Sequence, residues 1–293
     1  MDLLRRLKEQ VLIFDGAMGT MLQAYGLSSG DCPEEWNVTH ADIVRSIHQG
    51  YLEAGSDVIE TNTFGGNRFK LAKSQMQDRV IELNTRGAEL ARELAGPDHY
   101  VAGSVGPTGE LLKPLGRVSP REMYEVFAEQ ITALEEGGAD LICIETMSDL
   151  EEARIAIKAA RENTKLPVIA TMLFEPGLRG FRTMMGTDIR RAVNGLLEGG
   201  ANVIGTNCGR GIEEAIGIVQ EMRAVTDAPI LVQPNAGVPQ LQGGRTVFPQ
   251  TPEFMASLAP ELVRAGANLV GGCCGTTPAH IRAMIKAVRG CRR

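Results

Sequence analysis

The chain has 293 residues, of which 43% are hydrophobic and 4% aromatic, and its net charge is −6 at pH 7. This size suits one large α/β core, and without a Ser/Pro-rich or low-complexity linker we expect a single domain over residues 1–293. The basic residues are scattered among more numerous acids, which argues against nucleic-acid binding. No apolar run approaches the roughly 20 residues that cross a bilayer, and the start lacks a signal-peptide core. We therefore expect a cytoplasmic protein without membrane contact.

A unit of short apolar strand, loop and amphipathic helix recurs eight times along the chain. Before the first unit, Leu3, Leu4 and Leu7 have helical spacing. The strand candidates, in chain order, are VLIFDG from Val11, DVIETNT from Asp57, YVAGSVG from Tyr100, LICIETM from Leu141, PVIATMLF from Pro167, NVIGTNC from Asn202, PILVQPNAG from Pro229 and NLVGGCC from Asn268.

The connections between these units also repeat. Four helices end in the similar phrases EAGSDVIET, EGGADLICIET, EGGANVIGTN and RAGANLVGG, each of which predicts a helix ended by glycine, a tight turn and a buried strand. Eight such units predict a parallel sheet that closes into a single (β/α)8 TIM barrel. The alternative, an open doubly wound sheet, usually carries a GxGxxG turn after its first strand, and DGAMGT lacks that spacing.

Active sites of such barrels lie at the carboxyl ends of the strands, and we expect short loops there. In this sequence those ends carry an unusual set of polar and thiol side chains. They are Asp15-Gly16, Glu60-Thr61-Asn62, Glu145-Thr146, Asn207-Cys208, Asn235 and Cys273-Cys274.

The cysteines at these ends suggest a metal site. Cys208 follows the sixth strand and Cys273 and Cys274 follow the eighth, and three sulfur ligands with an open fourth position are typical of catalytic zinc. Adjacent side chains of a regular strand point to opposite faces, so the pair must lie beyond the strand end, where the flanking glycines allow a bend. The alternative is that all three are small buried hydrophobic residues. We interpret the other three, Cys32, Cys143 and Cys291, as structural or incidental.

The chemistry of such a site would be thiol alkylation. None of the four histidines falls at a predicted strand end, which disfavours a histidine-based hydrolytic zinc site. Three thiolates make zinc a poor activator of water but keep a fourth, substrate thiolate nucleophilic.

Several motifs together resemble the homocysteine S-methyltransferase family. They are DGAMGT, EAGSDVIETNTF, the GP of VGPTG, the IET at Glu145, GTNC at Cys208, PNAG at Asn235 and VGGCCGTTPAHI at Cys273. The chain is most similar to the homocysteine-binding module of cobalamin-dependent methionine synthases, from about Val11 to Val288. GGCCGTTP is the most specific of these motifs.

The resemblance implies roles for individual residues. Zinc would be held by the three cysteines, Cys208, Cys273 and Cys274, with the homocysteine thiolate at the open position. Asp15, Gly16 and Glu145 would hold the polar end of the amino acid. Asn207 and Asn235 would complete the catalytic set beside the metal. For these side chains the alternative is a capping or turn role at a strand end.

Motifs that the sequence lacks reduce the number of candidate methyl donors. It has no D-x-H-x-x-G corrinoid-binding phrase, and the places that carry aromatic residues in betaine-using relatives hold Gly65 and Thr146, leaving only Trp36 for a cation–π contact. We therefore expect a methyl-corrinoid such as methylcobalamin, carried by a separate protein or domain, and the chain could itself be part of a longer methionine synthase. The alternatives are a small sulfonium donor such as S-methylmethionine, or a non-catalytic barrel that binds zinc or a thiol.

Overall fold

The structure is a computed structural model that describes residues 3–178, 180–243 and 245–289. Its centre is an eight-stranded parallel sheet. The strands are β1 (Leu12–Ile13), β2 (Val58–Glu60), β3 (Tyr100–Val105), β4 (Leu141–Met147), β5 (Val168–Met172), β6 (Val203–Cys208), β7 (Ile230–Pro234) and β8 (Leu269–Val270). Each strand pairs with its neighbours in chain order and β1 pairs with β8, while a parallel bridge between Phe14 and Val58 joins β1 to β2. The predicted TIM barrel is confirmed.

Helices surround this sheet. They are α1 (Leu3–Glu9), α2 (Gly19–Ala24), α3 (Trp36–Thr39), α4 (Ala41–Ala54), α5 (Arg68–Ala72), α6 (Val80–Ala95), α7 (Pro120–Glu136), α8 (Leu150–Asn163), α9 (Ile189–Gly199), α10 (Ile212–Arg223), α11 (Pro252–Ala265) and α12 (Pro278–Val288). The four repeated phrases do end helices as predicted: Gly55, Gly138, Gly200 and Gly266 have φ between 95° and 112°, which only glycine adopts without strain. In the part of the chain that the structure describes, no helix is long and apolar enough to cross a membrane.

The apolar strand residues divide between two cores because side chains alternate along a strand. Outward residues such as Ile59, Val101 and Ile142 pack under the helices. Inward residues near the strand starts fill the barrel, and α1 packs Leu3 and Leu7 against them. This packed amino-terminal end leaves the carboxyl end of the barrel as the place for a site.

The loops at the carboxyl end differ from the short loops expected from the sequence. Two of them contain antiparallel hairpins: the first rim hairpin pairs Glu175–Gly177 with Gly180–Arg182, and the second rim hairpin pairs Gln240–Gln242 with Arg245–Val247. Short segments with glycine turns and exposed side chains bury too little apolar surface to show a strand pattern in the sequence.

Candidate active site

A cavity of about 200 Å³ opens among the carboxyl ends of the strands. Seven of the eight strand ends contribute to its wall, all except that of β5. The lining includes Gly16, Glu60, Ser104, Glu145, Thr146, Cys208, Gln233, Gly272, Cys273 and Cys274. The predicted convergence of polar and thiol groups at this rim is therefore observed.

The three predicted zinc-binding cysteines form one cluster. Their sulfur atoms lie within 4.8 Å of one another, and those of Cys208 and Cys273 are 2.9 Å apart. Sulfur atoms that share a tetrahedral zinc at about 2.3 Å lie about 3.8 Å from each other, so modest side-chain rotation suits this set to a metal ion. Cys32 and Cys143 are buried elsewhere, as expected of structural cysteines, and Cys291 lies outside the described residues.

Unusual backbone brings the three sulfurs together. Cys208 ends β6 in the left-handed region, with φ 63°, and β8 stops at Val270, so that the pair Cys273-Cys274 lies beyond the regular strand as predicted. The segment still follows the barrel wall because Cys273 N donates to Pro234 O (2.9 Å) and Cys274 O accepts from Ala236 N (2.9 Å).

The thiols of this cluster differ in the direction in which their pKa values are shifted. Hydrogen bonds from Cys208 and Cys273 lower the pKa of Cys274, whereas the contacts with its neighbours and burial raise the pKa of Cys273. Ionisation of one thiol is thus favoured and ionisation of all three is not, because like charges repel in a buried cluster. A divalent cation bound to the three sulfurs would offset this repulsion.

Glu145 is held at the cavity wall from both sides. Its Oε1 accepts from the Ser104 hydroxyl and its Oε2 accepts from Asn207 Nδ2 (3.1 Å). Asn207 Oδ1 in turn accepts from the amide of Thr146 (2.8 Å) and from the hydroxyl of Thr171 (2.7 Å). Asn207 therefore fixes the position of Glu145, and its Nδ2 lies 4.0 Å from the sulfur of Cys273.

Asp15 lies behind the cavity wall. It is 1% exposed and does not line the cavity, whereas Glu60, from the neighbouring strand, does. The two are linked because Asp15 Oδ2 accepts from the Glu60 amide (2.9 Å), and Glu60 Oε2 accepts from Gln233 Nε2 (2.8 Å).

The three carboxyl groups resist ionisation. Burial, and then the charge of a neighbouring carboxylate, raise the pKa values of Asp15 and Glu145 well above the usual range, and they raise the pKa of Glu60 to about 7. Because these carboxyl groups ionise unfavourably without a counter-charge, the cavity favours the binding of a cationic group.

Gly16 lines the cavity where no side chain fits. A Cβ atom there would lie 2.6 Å from the Thr276 hydroxyl and 2.9 Å from the Tyr51 ring. Tyr51 also donates to Ala17 O (2.8 Å). The backbone after β1 is thereby held against the turn that carries the cysteine pair.

Two other residues named from the sequence lie outside the cavity lining. Asn235 donates to Gly209 O (2.7 Å), which ties the loops after β6 and β7 together, the turn role that the sequence left open. Trp36 is 9% exposed and stacks on His40 at 4.3 Å. Phe64 is the aromatic residue among those that line the cavity.

Sequence reasoning assigned no role to Glu60, Gln233 or Ser104. A signal for Glu60 was present: the phrase IET occurs at the ends of both β2 and β4, so that Glu60 and Glu145 occupy equivalent places in the repeat. Gln233 gave no signal, because it stands inside the apolar run of β7.

Comparisons with known proteins identify the family to which the chain belongs. The family model described as homocysteine S-methyltransferase matches residues 12–288. Methionine synthases of Mycobacterium tuberculosis and Mycobacterium leprae are each 36% identical over 100% and 99% of this chain, which spans about a quarter of their length (26% and 25%). The metallated form of the Escherichia coli homocysteine methyltransferase MmuM is 26% identical, with a TM-score of 0.79 over 96% of this chain and 98% of that one. The chain therefore belongs to the homocysteine S-methyltransferase family.

Proposed function

We propose that this barrel binds zinc through Cys208, Cys273 and Cys274 and methylates the sulfur of homocysteine with a methyl group from a corrinoid carried by another protein or domain. The observation that carries the proposal is the three-sulfur cluster in the wall of a cavity whose other ionisable groups are carboxyls. Soft sulfur donors suit zinc, and a carboxyl-lined pocket suits the ammonium of an amino acid.

The cluster fits a metal that must accept one more ligand. In the part of the chain that the structure describes, no histidine or carboxylate completes a fourth position beside the three sulfurs. Zinc bound there would keep the homocysteine sulfur as a thiolate at neutral pH.

The residues around the cluster orient the substrate. Asn207 holds Glu145 toward the cavity, where its carboxylate would accept from the substrate ammonium, and Gly16 lines the same cavity beside it. Holding the homocysteine sulfur in a fixed orientation raises the rate of methyl transfer, because the sulfur is already aligned with the methyl group when the donor arrives. The sulfur lone pair forms the new S–C bond as the bond from the methyl group to the donor breaks, and that bonding pair leaves with the donor.

The surface around the cavity favours a large donor. Ten of the thirteen exposed large apolar side chains of the described residues lie in loops that follow barrel strands: Tyr25, Phe64, Leu111, Leu115, Leu178, Met184, Met185, Val238, Leu241 and Val247. Leu111, Leu115 and Met185 line one shared depression. Exposed apolar groups gathered on one face are typical of a surface covered by a protein partner, whereas a small sulfonium would cover none of them.

The donor can be tested with the purified protein. Zinc-loaded protein and homocysteine are mixed separately with methylcobalamin, S-methylmethionine and betaine, and methionine is measured. We expect slow methionine formation from methylcobalamin, with one cob(I)alamin per methionine, and only when zinc and homocysteine are both present. Rapid turnover of S-methylmethionine with no reaction of methylcobalamin would replace the corrinoid donor by the sulfonium. No methionine from any of the three, in protein that holds zinc and binds homocysteine, would favour a non-catalytic thiol-binding role.

A further inference from the structure

Gln250 connects the loops that follow three neighbouring barrel strands, β6, β7 and β8. Its main-chain amide donates to Ala236 O (2.9 Å), in the loop after β7. Its carbonyl oxygen accepts from Nε2 of His280 (2.9 Å), which lies in the first turn of α12, after β8. Nε2 is the donor here because a carbonyl oxygen can only accept, and Nδ1 of the same ring accepts from the amide of Thr277 (3.2 Å). The function proposed above gives neither Gln250 nor His280 a role.

The side chain of Gln250 reaches the third loop, which follows Cys208 at the end of β6. Its Oε1 accepts from the amide of Ile212 (3.4 Å), and its Nε2 donates to Oε2 of Glu213 (3.0 Å). Both partners lie in the first turn of α10, which starts just after this loop. One residue thus uses its main chain and its side chain to join three separate segments of the rim.

Two glycines make room for this side chain. A Cβ atom at Gly211 would lie 2.8 Å from Nε2 of Gln250, and one at Gly237 would lie 2.9 Å from its Cγ. Both glycines have positive φ values, 130° and 88°, so their backbone conformations also disfavour any other residue. The loops after β6 and β7 therefore close on Gln250 from two sides, and packing as well as hydrogen bonding fixes its position.

The loops that Gln250 joins carry the three cysteines of the cluster. Cys208 ends β6, whereas Cys273 and Cys274 follow β8, and β7 lies between these two strands in the barrel. The two groups of sulfur ligands thus do not stand on paired strands, and their separation depends on contacts that cross β7. Ala236 supplies part of such a contact, because its amide donates to Cys274 O (2.9 Å) while its carbonyl accepts from Gln250. Gln250 extends this link to the turn of α10 beside Cys208.

We propose that Gln250 is a positioning residue of the metal site, which sets the separation between Cys208 and the Cys273-Cys274 turn and thereby the zinc affinity. The inference rests on the function proposed above, since it takes the three cysteines to be zinc ligands. Residues outside the ligand set hold the ligands in the geometry that a metal requires, and loss of one such residue commonly weakens metal binding. His280 contributes by holding Gln250 against the helix that follows the cysteine pair.

Zinc affinity and a cobalt spectrum together separate positioning from general support of the fold. Zinc affinity is measured by competition with a chelator. Cobalt(II) is then loaded in place of zinc, because its d–d absorption bands report the arrangement of the ligands, whereas zinc has a filled d shell and shows none. The variant is Gln250→Ala, which removes the two side-chain contacts and keeps both main-chain contacts. Gln242→Ala is the matched control, at an exposed glutamine of the second rim hairpin that donates to Gln240 Oε1 (3.1 Å).

We expect Gln250→Ala to bind zinc about tenfold more weakly, at the lower end of the effect of contacts outside the ligand set, because the main-chain contacts remain. The cobalt bands of this variant should shift or broaden. Gln242→Ala should match wild-type protein in both measurements.

An exchange of the Gln250 and Glu213 side chains provides a rescue test. Gln250→Glu alone places two carboxylates in contact, and these repel, so zinc affinity should fall even though an added negative charge by itself favours a cation. Adding Glu213→Gln restores a hydrogen bond between the two side chains with donor and acceptor exchanged. The double variant should therefore return the zinc affinity and the cobalt spectrum close to those of wild-type protein.

The opposite results have definite meanings. If Gln250→Ala lowers the free energy of unfolding of the metal-free protein while zinc affinity and the cobalt spectrum keep their wild-type values, Gln250 is structural and the inference is wrong. Zinc affinity that stays as low in the double variant as in Gln250→Glu also contradicts it. If Gln250→Ala does not fold, the exchange decides by the same criterion. Wild-type protein that binds neither zinc nor cobalt would instead refute the proposed function.

Discussion

At the scale of single residues, the sulfur cluster carries the first prediction. Replacing Cys208, Cys273 or Cys274 by serine should abolish tight zinc binding, because each change removes a thiolate ligand for which a hydroxyl is a poor substitute. Zinc is measured per chain after dialysis. Cys32→Ser is the control, since Cys32 contacts Glu34 (3.3 Å) away from the cluster. One zinc per chain in all three cluster variants would refute the ligand assignment.

Glu145 allows a test of substrate binding that leaves the metal in place. Glu145→Gln should retain zinc, because Asn207 can still donate to the amide oxygen, and should weaken homocysteine binding by roughly 1.5–3 kcal/mol through loss of a charge-assisted contact. Calorimetry at neutral pH measures the change. Unchanged affinity for homocysteine would show that Glu145 has a structural role at the end of β4.

His48 predicts how stability depends on pH. It is fully buried in α4, neither ring nitrogen has a hydrogen-bond partner among the described residues, and burial lowers its pKa from 6.5 to about 4. Below about pH 6.5 the His48 imidazole becomes protonated in the unfolded chain, whereas in the folded protein it stays neutral down to about pH 4. His48 therefore destabilises the fold as the pH falls through that window.

The size of this effect is about 2 kcal/mol between pH 7 and pH 5, obtained from the two pKa values. Urea unfolding at both pH values should show a smaller loss of stability in His48→Leu than in wild-type protein. The control is His99→Gln, at a half-buried histidine that contacts Ala95 O. Equal losses in wild-type protein and His48→Leu would contradict the prediction.

At the scale of elements, the turn after β8 depends on a close contact with the segment after the second rim hairpin. Gly275 has φ 82°, and a Cβ atom there would lie 2.1 Å from the ring of Phe248. This packing explains why the residue after the cysteine pair is glycine. The ring lies against the backbone that positions Cys273 and Cys274.

Gly275→Ala should therefore lower zinc affinity, measured by competition with a chelator, because the turn must shift to accept the methyl group. Gly30→Ala has the same backbone strain of about 1–2 kcal/mol but nothing within 4 Å of the new Cβ, and it should keep wild-type zinc affinity. Adding Phe248→Gly to Gly275→Ala should restore part of the affinity, because glycine also removes the Phe248 Cβ atom, which lies 2.4 Å from the new methyl group. Equal zinc affinity in Gly275→Ala and Gly30→Ala would show that the contact does not position the turn.

At the scale of the whole molecule, stability and chemistry lie at opposite ends of the barrel. Leu7 of α1 is 1% exposed and packs into the inner core at the amino-terminal end. Leu7→Ala should lower the free energy of unfolding by about 2–4 kcal/mol through lost burial and a cavity, with unchanged zinc content and homocysteine affinity. Urea unfolding and zinc analysis check this, and loss of zinc in the folded variant would show that the two ends are coupled.

The sequence by itself determined the architecture and the metal ligands that we propose. Glycine-ended helices before apolar strands recur with a regular period, and this pattern depends on local backbone geometry and burial, which are properties of neighbouring residues. The position of Cys273 and Cys274 beyond β8 also followed from local geometry, since adjacent strand residues cannot face the same side.

Only the tertiary structure decided which strand-end residues reach the cavity. Asp15 and Glu60 both stand at strand ends in the sequence, yet Asp15 lies behind the wall and Glu60 lines it. Gln233, inside an apolar run, became part of the site through its contact with Glu60, whereas Asn235 serves to join two loops. Which strand-end side chains face the cavity depends on the rotation and register of strands that are far apart in the chain. Closure of the barrel fixes that rotation and register.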